Sequence, residues 1–214
     1  MTSRAMVVVG GGSSARFGAD KLRTDIAGRP LIEHTIDAVV GLVHSCVVVC
    51  RPELANALDR PDVIVALGGA TRTSSEMAGL AALGDQVDLI GIHDAARPLV
   101  DPALVERLFV AAEAHGGAVP LLSYERLILD KASHEPITGL LGAQTPQVFR
   151  APALLAAYAR AARQGFDAHD TLEVMQRFGD VEIVGLPGDP GNIKVTYPED
   201  LERVRALLSD SSHT

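Results

Sequence analysis

The chain has 214 residues, of which 47% are hydrophobic and 21% are charged, and its formal net charge is −8. This composition is typical of a globular α/β domain, and the acidic balance argues against a general nucleic-acid binder or a membrane-surface binder. No apolar run reaches the roughly 18 residues of a membrane span and the N-terminus has no signal-peptide pattern, so we expect a cytoplasmic protein. We predict a single domain over residues 1–214, in which any anionic substrate must be held by a local cluster of cations.

The first predicted strand, Met6–Val9, ends at a loop of glycines and a serine. The loop residues are Gly10, Gly11, Gly12 and Ser13. Glycine lets backbone N–H groups approach an anion closely, and Arg16 and Lys21 add two cations to the same stretch. We interpret this loop as a binding site for a nucleoside triphosphate.

Other interpretations of the same loop are open. The spacing of Gly10, Gly12 and Ala15 fits a dinucleotide-binding loop, and Arg51 after the next strand would then hold an NADP phosphate. That motif requires a helix directly after the loop, whereas glycines and Pro30 disfavour a regular helix there. A Walker A motif is excluded because no Gly-Lys-Ser/Thr follows. The remaining alternative is an ordinary glycine-rich turn with solvated charges.

Apolar runs rich in β-branched residues alternate with helical patterns, which is typical of a parallel sheet with crossover helices. The later predicted strands are Ser45–Cys50, Val63–Leu67, Asp88–Ile92, Ala118–Leu122, Val181–Leu186 and Asn192–Thr196. The helices are predicted to start near Pro30, Pro52, Ser75, Asp101, Pro152, Asp170 and Pro198. We expect the first two of these strands to be buried. Cys46 and Cys50 lie about 13 Å apart in one strand, too far for a disulfide, and are expected to be core residues.

Residues 123–143 interrupt this alternation. Ser123–Leu129 and Ile137–Leu141 have strand-like patterns, and residues 133–136 between them resemble a turn. We predict a β-hairpin arm that projects from the domain. Arms of this kind often pair with a second subunit, so we expect a homodimer.

Two further loops carry residues that suit phosphate and metal binding. Residues 68–75 form a second glycine loop, and its hydroxyl-rich helix start offers free N–H groups, although a capped helix without a ligand has the same pattern. Asp94 and Arg97 follow the strand Asp88–Ile92, at the sheet edge where ligands of open α/β sheets bind. Asp94 can hold Mg²⁺ and Arg97 a phosphate, the alternative being a salt-bridged turn. Lys194 lies among apolar neighbours and therefore suggests an anionic partner such as a phosphate.

The order of these motifs resembles that of the 2-C-methyl-D-erythritol 4-phosphate cytidylyltransferases. The resemblance covers nearly the whole chain and rests on the first loop with Arg16 and Lys21 and on residues 28–35, 68–75, 93–98, 145–149 and 192–201. It implies a Rossmann-like nucleotidyltransferase: an open, mostly parallel twisted sheet with helices on both faces and an arm. It also implies that the phosphate of methylerythritol phosphate attacks the α-phosphorus of CTP and releases pyrophosphate.

The resemblance implies roles for single residues. Arg16 and Lys21 would stabilise the α-phosphate, and Lys194 would position the attacking phosphate. The residues implied on the nucleotide side are Gly69, Ala70, Arg72 and Ser75. Those implied on the acceptor side are Asp94, Arg97, Thr145 and Asp170.

Several positions differ from the family pattern, mostly on the acceptor side. The family's Asp-Thr pair on the arm is Ser123-Tyr124 here, the arginine expected near Ile137 is absent, and His169 replaces a threonine. We predict Arg126 and His169 as substitutes at the acceptor site. Residues 16–22 instead resemble the molybdenum-cofactor nucleotidyltransferases. The sequence therefore leaves open CMP transfer to another alditol phosphate, a phosphonate or a molybdopterin, and a non-catalytic CTP-binding role.

Overall fold

The computed structural model describes residues 2–11, 17, 20–84, 86–124, 127–128, 136–137 and 139–211. The strands of this part of the chain, β1 to β12, are Arg4–Val9, Asp25–Ile26, Arg29–Pro30, Ser45–Cys50, Ile64–Leu67, Leu89–Asp94, Gly116–Tyr124, Leu127–Ile128, Pro136–Ile137, Leu140–Ala143, Gln147–Arg150 and Glu182–Pro187. Its α-helices, α1 to α7, are Leu31–Val40, Pro52–Ala55, Arg72–Ala82, Pro102–His115, Ala151–Arg163, Thr171–Phe178 and Pro198–Ser211. A short 3-10 turn at Lys21–Arg23 precedes β2.

Eight strands form one mixed, mostly parallel sheet in the order β10-β7-β11-β6-β1-β4-β5, with β12 beside β7. Strands β6, β1, β4 and β5 run parallel to one another, whereas β11 lies antiparallel between β6 and β7. The chain passes from β1 to β4 and β5 on one side and then returns to β6 on the other side of β1. This arrangement confirms the open, mostly parallel sheet that the alternating pattern predicts.

The register of the central strands brings three strand ends together. Val9, the last residue of β1, pairs with Val49 of β4 and with Asp94 at the end of β6. Strand order reverses between β1 and β6, and ligands of open α/β sheets bind in the crevice at such a point. The fold thus places the first glycine loop and Asp94 side by side.

The core has two layers because the side chains of β1 alternate between the faces of the sheet. Met6 and Val8 pack into the layer that contains α1, α4 and α7, and Val7 packs into the layer that contains α3, α5 and α6. Helices therefore cover both faces, as predicted. Cys46 and Cys50 are buried free thiols of the first layer, which confirms their assignment to the core.

Three local predictions were wrong. Strand β5 lies at the edge of the sheet with Leu67 57% exposed, because no strand in the described part of the chain covers its outer side. Asp94 ends β6 instead of following it, since the β1–β6 ladder continues to the pair with Val9. Residues 192–196 form no strand, and Val195 instead donates a single backbone hydrogen bond to the carbonyl of Ala96 (2.8 Å).

The arm region contains the predicted hairpin pairing. Strand β10 pairs antiparallel with the end of β7 through Leu140 and Tyr124, and β8 pairs antiparallel with β9. Arg126 and residues 129–135 lie outside the described residues. A separate finding concerns membranes: in the part of the chain that the structure describes, every helix is too short or too polar to cross one.

Candidate active site

A cavity of about 550 Å³ opens at the carboxyl ends of β1, β4 and β6. Its described lining comes from the ends of these strands and the residues that follow them, from Phe17 and the 3-10 turn, from the start of α3, and from Lys194 and Thr196. The charged residues of that lining are one carboxylate, Asp94, and four cations, Lys21, Arg51, Arg72 and Lys194. In a chain with a net charge of −8, this excess of positive charge is the local cluster that an anionic ligand requires.

The two described glycines of the first loop, Gly10 and Gly11, pack closely against their neighbours. The Gly10 N–H donates to the Val49 carbonyl (2.7 Å), and a Cβ on Gly10 would lie 2.8 Å from Leu22 Cδ1. A Cβ on Gly11 would lie 2.7 Å from Ser75 Oγ at the start of α3. These two positions therefore need glycine for close packing. Gly12, Ser13 and Arg16 lie outside the described residues.

The second glycine loop leads into a capped helix whose first turn borders the cavity. Thr71 Oγ1 accepts from the Ser74 N–H (3.1 Å), and Ser74 Oγ accepts from the Thr71 N–H (2.9 Å), which forms a capping box. Ser75 Oγ accepts from the Gly69 N–H (3.1 Å) and donates to the Thr71 carbonyl (2.8 Å). Ala70, Thr71 and Ser75 all line the cavity. The positive end of the α3 dipole is thereby presented to any ligand there.

The Asp94 carboxylate pairs with three cations. Its Oδ1 accepts from Arg72 Nη1 (2.8 Å), its Oδ2 pairs with Lys194 Nζ (2.8 Å), and Arg97 Nε lies 3.5 Å from Oδ2. Burial raises the pKa of the Asp94 carboxyl, but the three cations outweigh burial and hold this pKa well below its usual range. Asp94 is therefore an anion at neutral pH.

A directed chain of hydrogen bonds fixes the backbone behind Asp94. The Asp94 N–H donates to Thr145 Oγ1 (3.0 Å), which lies 3.1 Å from His93 Nδ1, and His93 Nε2 lies 3.2 Å from the Arg97 carbonyl. Because a carbonyl only accepts, Nε2 carries the ring proton and Nδ1 accepts from the Thr145 hydroxyl. Burial, above all, lowers the pKa of the His93 imidazole to about 4, so the ring is neutral at pH 7.

Both predicted lysines line the cavity. Lys21, in the 3-10 turn, donates from Nζ to the carbonyl of Val195 (2.8 Å). Residues 192–196 therefore bind Lys21 through a backbone carbonyl and also contain the second lysine, Lys194. Lys194 has the anionic partner that its apolar neighbours predicted, but this partner is the Asp94 carboxylate. Its side chain is 38% exposed, because it reaches from an irregular segment into the cavity instead of into the core.

Most of the predicted acceptor residues that the structure describes do not line the cavity. Arg97 donates from Nη1 to the Asn192 carbonyl (2.7 Å), and Thr145 is buried next to the Asp94 backbone. Asp170 caps α6, where its Oδ1 accepts from the Glu173 N–H (2.9 Å). His169 is exposed beside it. Among the described residues of this set, Asp94 alone lines the cavity, and Arg126 lies outside them.

The sequence analysis considered Arg51 only as a contact for an NADP phosphate, and it missed Glu76, which lies next to the cavity. Arg51 lines the cavity and pairs with Asp20 (3.1 Å). It comes directly after β4, and a charged residue at the carboxyl end of a strand is the signal by which the sequence analysis identified Asp94. Glu76 is fully buried on α3 and accepts from Arg72 Nε (2.9 Å). A glutamate four residues after an arginine, on the inward face of a helix, is a signal that could have revealed this pair.

Comparisons with known proteins agree on one family. The model of the family described as IspD, 2-C-methyl-D-erythritol 4-phosphate cytidylyltransferase, matches residues 4–210. A relative of that name from Cereibacter sphaeroides is 36% identical, over 96% of each chain. The solved structure of a 2-C-methyl-D-erythritol 4-phosphate cytidylyltransferase from Thermus thermophilus is 28% identical with a TM-score of 0.81, over 98% of this chain and 100% of that one.

Some relatives are longer than this chain. A protein named bifunctional enzyme IspD/IspF from Rhodobacter capsulatus is 35% identical over 98% of this chain, which spans 57% of that relative's length. The fold alone is also shared with a synthase structure from Anaerococcus prevotii, at 23% identity and a TM-score of 0.83, over 97% of this chain and 99% of that one.

Proposed function

Because the chain belongs to the 2-C-methyl-D-erythritol 4-phosphate cytidylyltransferase family, we propose that it transfers CMP from CTP to 2-C-methyl-D-erythritol 4-phosphate, a step of isoprenoid biosynthesis by the non-mevalonate route. The observation that carries this proposal is the cavity in which four cations and the start of α3 surround a single carboxylate, Asp94, among the described lining residues. Such a site suits two phosphorylated substrates that must meet despite their negative charges.

The proposed reaction is a displacement at phosphorus. An oxygen of the acceptor phosphate attacks the α-phosphorus of CTP, the bond from this phosphorus to the bridging oxygen of the β-phosphate breaks, and its electron pair leaves with pyrophosphate. The nucleophile is already an anion, so no general base is needed, and alignment with charge neutralisation carries the catalysis. We assign Lys21 and Arg16 to the α-phosphate and Lys194 to the attacking phosphate. The placement of both lysines at the cavity supports this assignment.

The nucleotide is proposed to lie between the two glycine loops. The triphosphate would contact the backbone of the first loop, formed by Gly10, Gly11, Gly12 and Ser13. The cytosine would contact the second loop and the start of α3 at Gly69, Ala70 and Ser75, with Arg72 on the same wall. The absence of side chains at Gly10 and Gly11 supports this proposal, because it leaves backbone atoms at the cavity surface.

The acceptor is proposed to bind at the Asp94 side of the cavity. Asp94 would contact it directly, because this carboxylate lines the cavity. The other proposed acceptor-side residues are Arg97, Thr145, Arg126, His169 and Asp170. Thr145 and Arg97 support the proposal through Asp94, which they contact through a hydrogen bond and an ion pair.

Mg²⁺ is the proposed cofactor, with Asp94 as its protein ligand. Among the described residues, no group of three or more His, Cys, Asp or Glu side chains could form a closed metal cage. Mg²⁺ in nucleotide enzymes is nevertheless held by one or two carboxylates together with substrate phosphates and waters, and a single carboxylate at the cavity fits that donor set. Bound there, the metal would neutralise phosphate charge.

We also propose that the protein forms a homodimer through the arm and acts in the cytoplasm. Tyr124 and Leu141, on the paired strands β7 and β10 of the arm, are 44% and 60% exposed. Large apolar side chains on an exposed hairpin support a partner surface. The buried free thiols Cys46 and Cys50 are consistent with a reducing compartment.

The experiment that tests the proposed function is an assay of pyrophosphate release from CTP and Mg²⁺. The protein is supplied with methylerythritol phosphate, and parallel reactions contain another alditol phosphate, a phosphonate or a molybdopterin, with a reaction lacking any acceptor as control. We expect release with methylerythritol phosphate. Release with another acceptor only would keep the cytidylyltransferase activity and reject this substrate. No release with any acceptor, while CTP still binds, would favour a non-catalytic role.

A further inference from the structure

A buried carboxylate lies next to the cavity, on the inward side of α3. Glu76 is 0% exposed. Its Oε1 accepts from Arg72 Nε (2.9 Å) and from Thr171 Oγ1 (3.1 Å), and its Oε2 accepts from the Tyr158 hydroxyl (2.6 Å). Donors from three helices, α3, α5 and α6, therefore fix both oxygens of this carboxylate.

Arg72 joins this buried carboxylate to the one in the cavity. Its Nε donates to Glu76 and its Nη1 donates to Asp94 (2.8 Å). The guanidinium is a rigid planar fork, so fixing Nε also sets the direction in which Nη1 points. The position of Glu76 thus determines where Arg72 meets Asp94.

The cations at Asp94 differ in how firmly they are held. Arg72 is bound by two carboxylates and its side chain is 23% exposed. Lys194 is 38% exposed and extends from an irregular segment, and within the described residues its ion pair is with Asp94. A substrate phosphate that enters the cavity can therefore take Lys194 from Asp94 more easily than it can take Arg72.

We propose that Glu76 is a positioning residue: it anchors Arg72 so that the guanidinium stays on Asp94, and keeps this carboxylate oriented when Lys194 transfers to a substrate phosphate. This inference rests on the proposed function. It assigns Arg72 to the support of Asp94 instead of to direct contact with the nucleotide. Burial, the largest influence, raises the pKa of the Glu76 carboxyl, while Arg72 and the hydroxyls of Tyr158 and Thr171 oppose this rise. An apolar residue at position 76 would leave Arg72 Nε without its acceptor.

The kinetic test compares two buried variants of α3. Glu76→Gln keeps the size of the side chain but replaces the carboxyl group that anchors Arg72 with a neutral amide. The matched control is Thr73→Val, which breaks the buried hydrogen bond from the Ala168 N–H to Thr73 Oγ1 (2.8 Å) without touching Arg72. We expect Glu76→Gln to lower kcat about 10- to 100-fold, as loss of an outer partner of a functional carboxylate does, with KM for CTP changed less than about threefold. Thr73→Val should lower Tm without changing kcat or KM for CTP.

A purely structural role would give a different result. In that case Glu76→Gln would lower Tm and leave kcat unchanged, or would change kcat no more than Thr73→Val does, and either result would overturn the proposal. Comparing the changes in kcat, KM for CTP and Tm between the two variants separates a positioning role from a packing role.

A spectroscopic test uses the unaltered protein and remains valid if Glu76→Gln does not fold. The Nε–H resonance of Arg72, assigned by its loss in Arg72→Lys, should exchange slowly with solvent and keep its chemical shift when CTP and Mg²⁺ are added. A large shift on CTP addition would mean that Arg72 moves to the triphosphate, and the proposal would fail. If the protein transferred CMP to no acceptor, the proposed function would fail separately, and this resonance alone would decide whether Glu76 anchors Arg72.

Discussion

Asp94 shows how single residues can set the charge of a site. Of the three cations around it, Arg72 also contacts Glu76 and Arg97 also contacts the Asn192 carbonyl, whereas Lys194 extends into the cavity. An isolated buried carboxylate would become protonated, and here the surrounding positive charge keeps it ionised. The same charge leaves the cavity attractive to phosphates.

Lys21 tests the proposed chemistry at the residue scale. We expect Lys21→Ala to lower kcat about 100-fold or more, while CTP affinity falls much less, because charge stabilisation at the α-phosphate is needed chiefly in the transition state. Steady-state kinetics together with calorimetric CTP binding measure both quantities. Arg23→Ala, an exposed cation in the same 3-10 turn, is the control and should leave turnover unchanged. Normal turnover of Lys21→Ala would exclude this role.

The lowered pKa of His93 predicts that the free energy of unfolding decreases in mild acid. Its pKa is about 4 in the folded protein against an ordinary value of 6.5, so the unfolded chain binds a proton first as pH falls. The contribution of His93 is fully present above about pH 6.5 and declines toward pH 4, by about 3 kcal/mol in total. Urea unfolding at pH 7, 5.5 and 4.5, with NMR titration of the imidazole, measures this effect. An imidazole that titrates near 6.5 in the folded protein would contradict the prediction.

At the scale of elements, α3 contributes both to the cavity and to the packing of the helices around it. Its capped first turn borders the cavity, while Glu76, in its second turn, ties it to α5 and α6. Loss of the Thr71 cap should therefore affect both stability and binding, which distinguishes α3 from a helix that only packs.

Thr71→Ala separates these two effects. Loss of the cap should lower the free energy of unfolding by about 1 kcal/mol and also raise KM for CTP, because the N–H groups of the first turn lose their fixed direction. Asp101→Ala is the matched control: Asp101 caps α4 by accepting from the Ala103 N–H (2.9 Å), and it does not line the cavity. It should cost similar stability with no change in KM. Equal KM values for the two variants would refute a ligand role for the start of α3.

Several elements could be predicted from the sequence because local signals specify them. Pro102 after Asp101 marks the start of α4, and the glycines after Val9 mark the end of β1. The exposure of β5 could not be predicted, because a run of apolar residues has the same pattern at the edge and in the centre of a sheet. For residues 192–196, β propensity favoured a strand, but this segment crosses the carboxyl end of the sheet, where no neighbouring strand pairs with it in the described structure.

The candidate site was predictable in its chemistry and less so in its contacts. Asp94, Lys21 and Lys194 stand out as charged residues next to loops or apolar runs, and all three line the cavity. Glu76 does not stand out, because a glutamate on a helix is ordinarily a surface residue. Its burial depends on the packing of Tyr158 and Thr171, which are distant in sequence.

At the scale of the whole molecule, the arm makes the oligomeric state testable. Leu141→Glu places a charge on the exposed face of β10 and should shift the protein from the proposed dimer to a monomer of 22.5 kDa in sedimentation. Leu155→Glu, at a 46% exposed site on α5, is the matched control and should leave the proposed dimer intact. If both variants sediment as the unaltered protein does, the arm is not the interface.

The cavity is assembled from residues that are far apart in the chain. Strand β1 pairs with β6 about 85 positions later, and the hydrogen bond from Lys21 to the Val195 carbonyl spans 174 positions. Contacts of such long sequence separation form late, because the intervening loop must be closed first. A nascent chain on the ribosome therefore completes the central strands well before it acquires both lysines of the site. Under the proposed function, CTP turnover during synthesis could begin only after residues 192–196 emerge, because they contain Lys194 and bind Lys21.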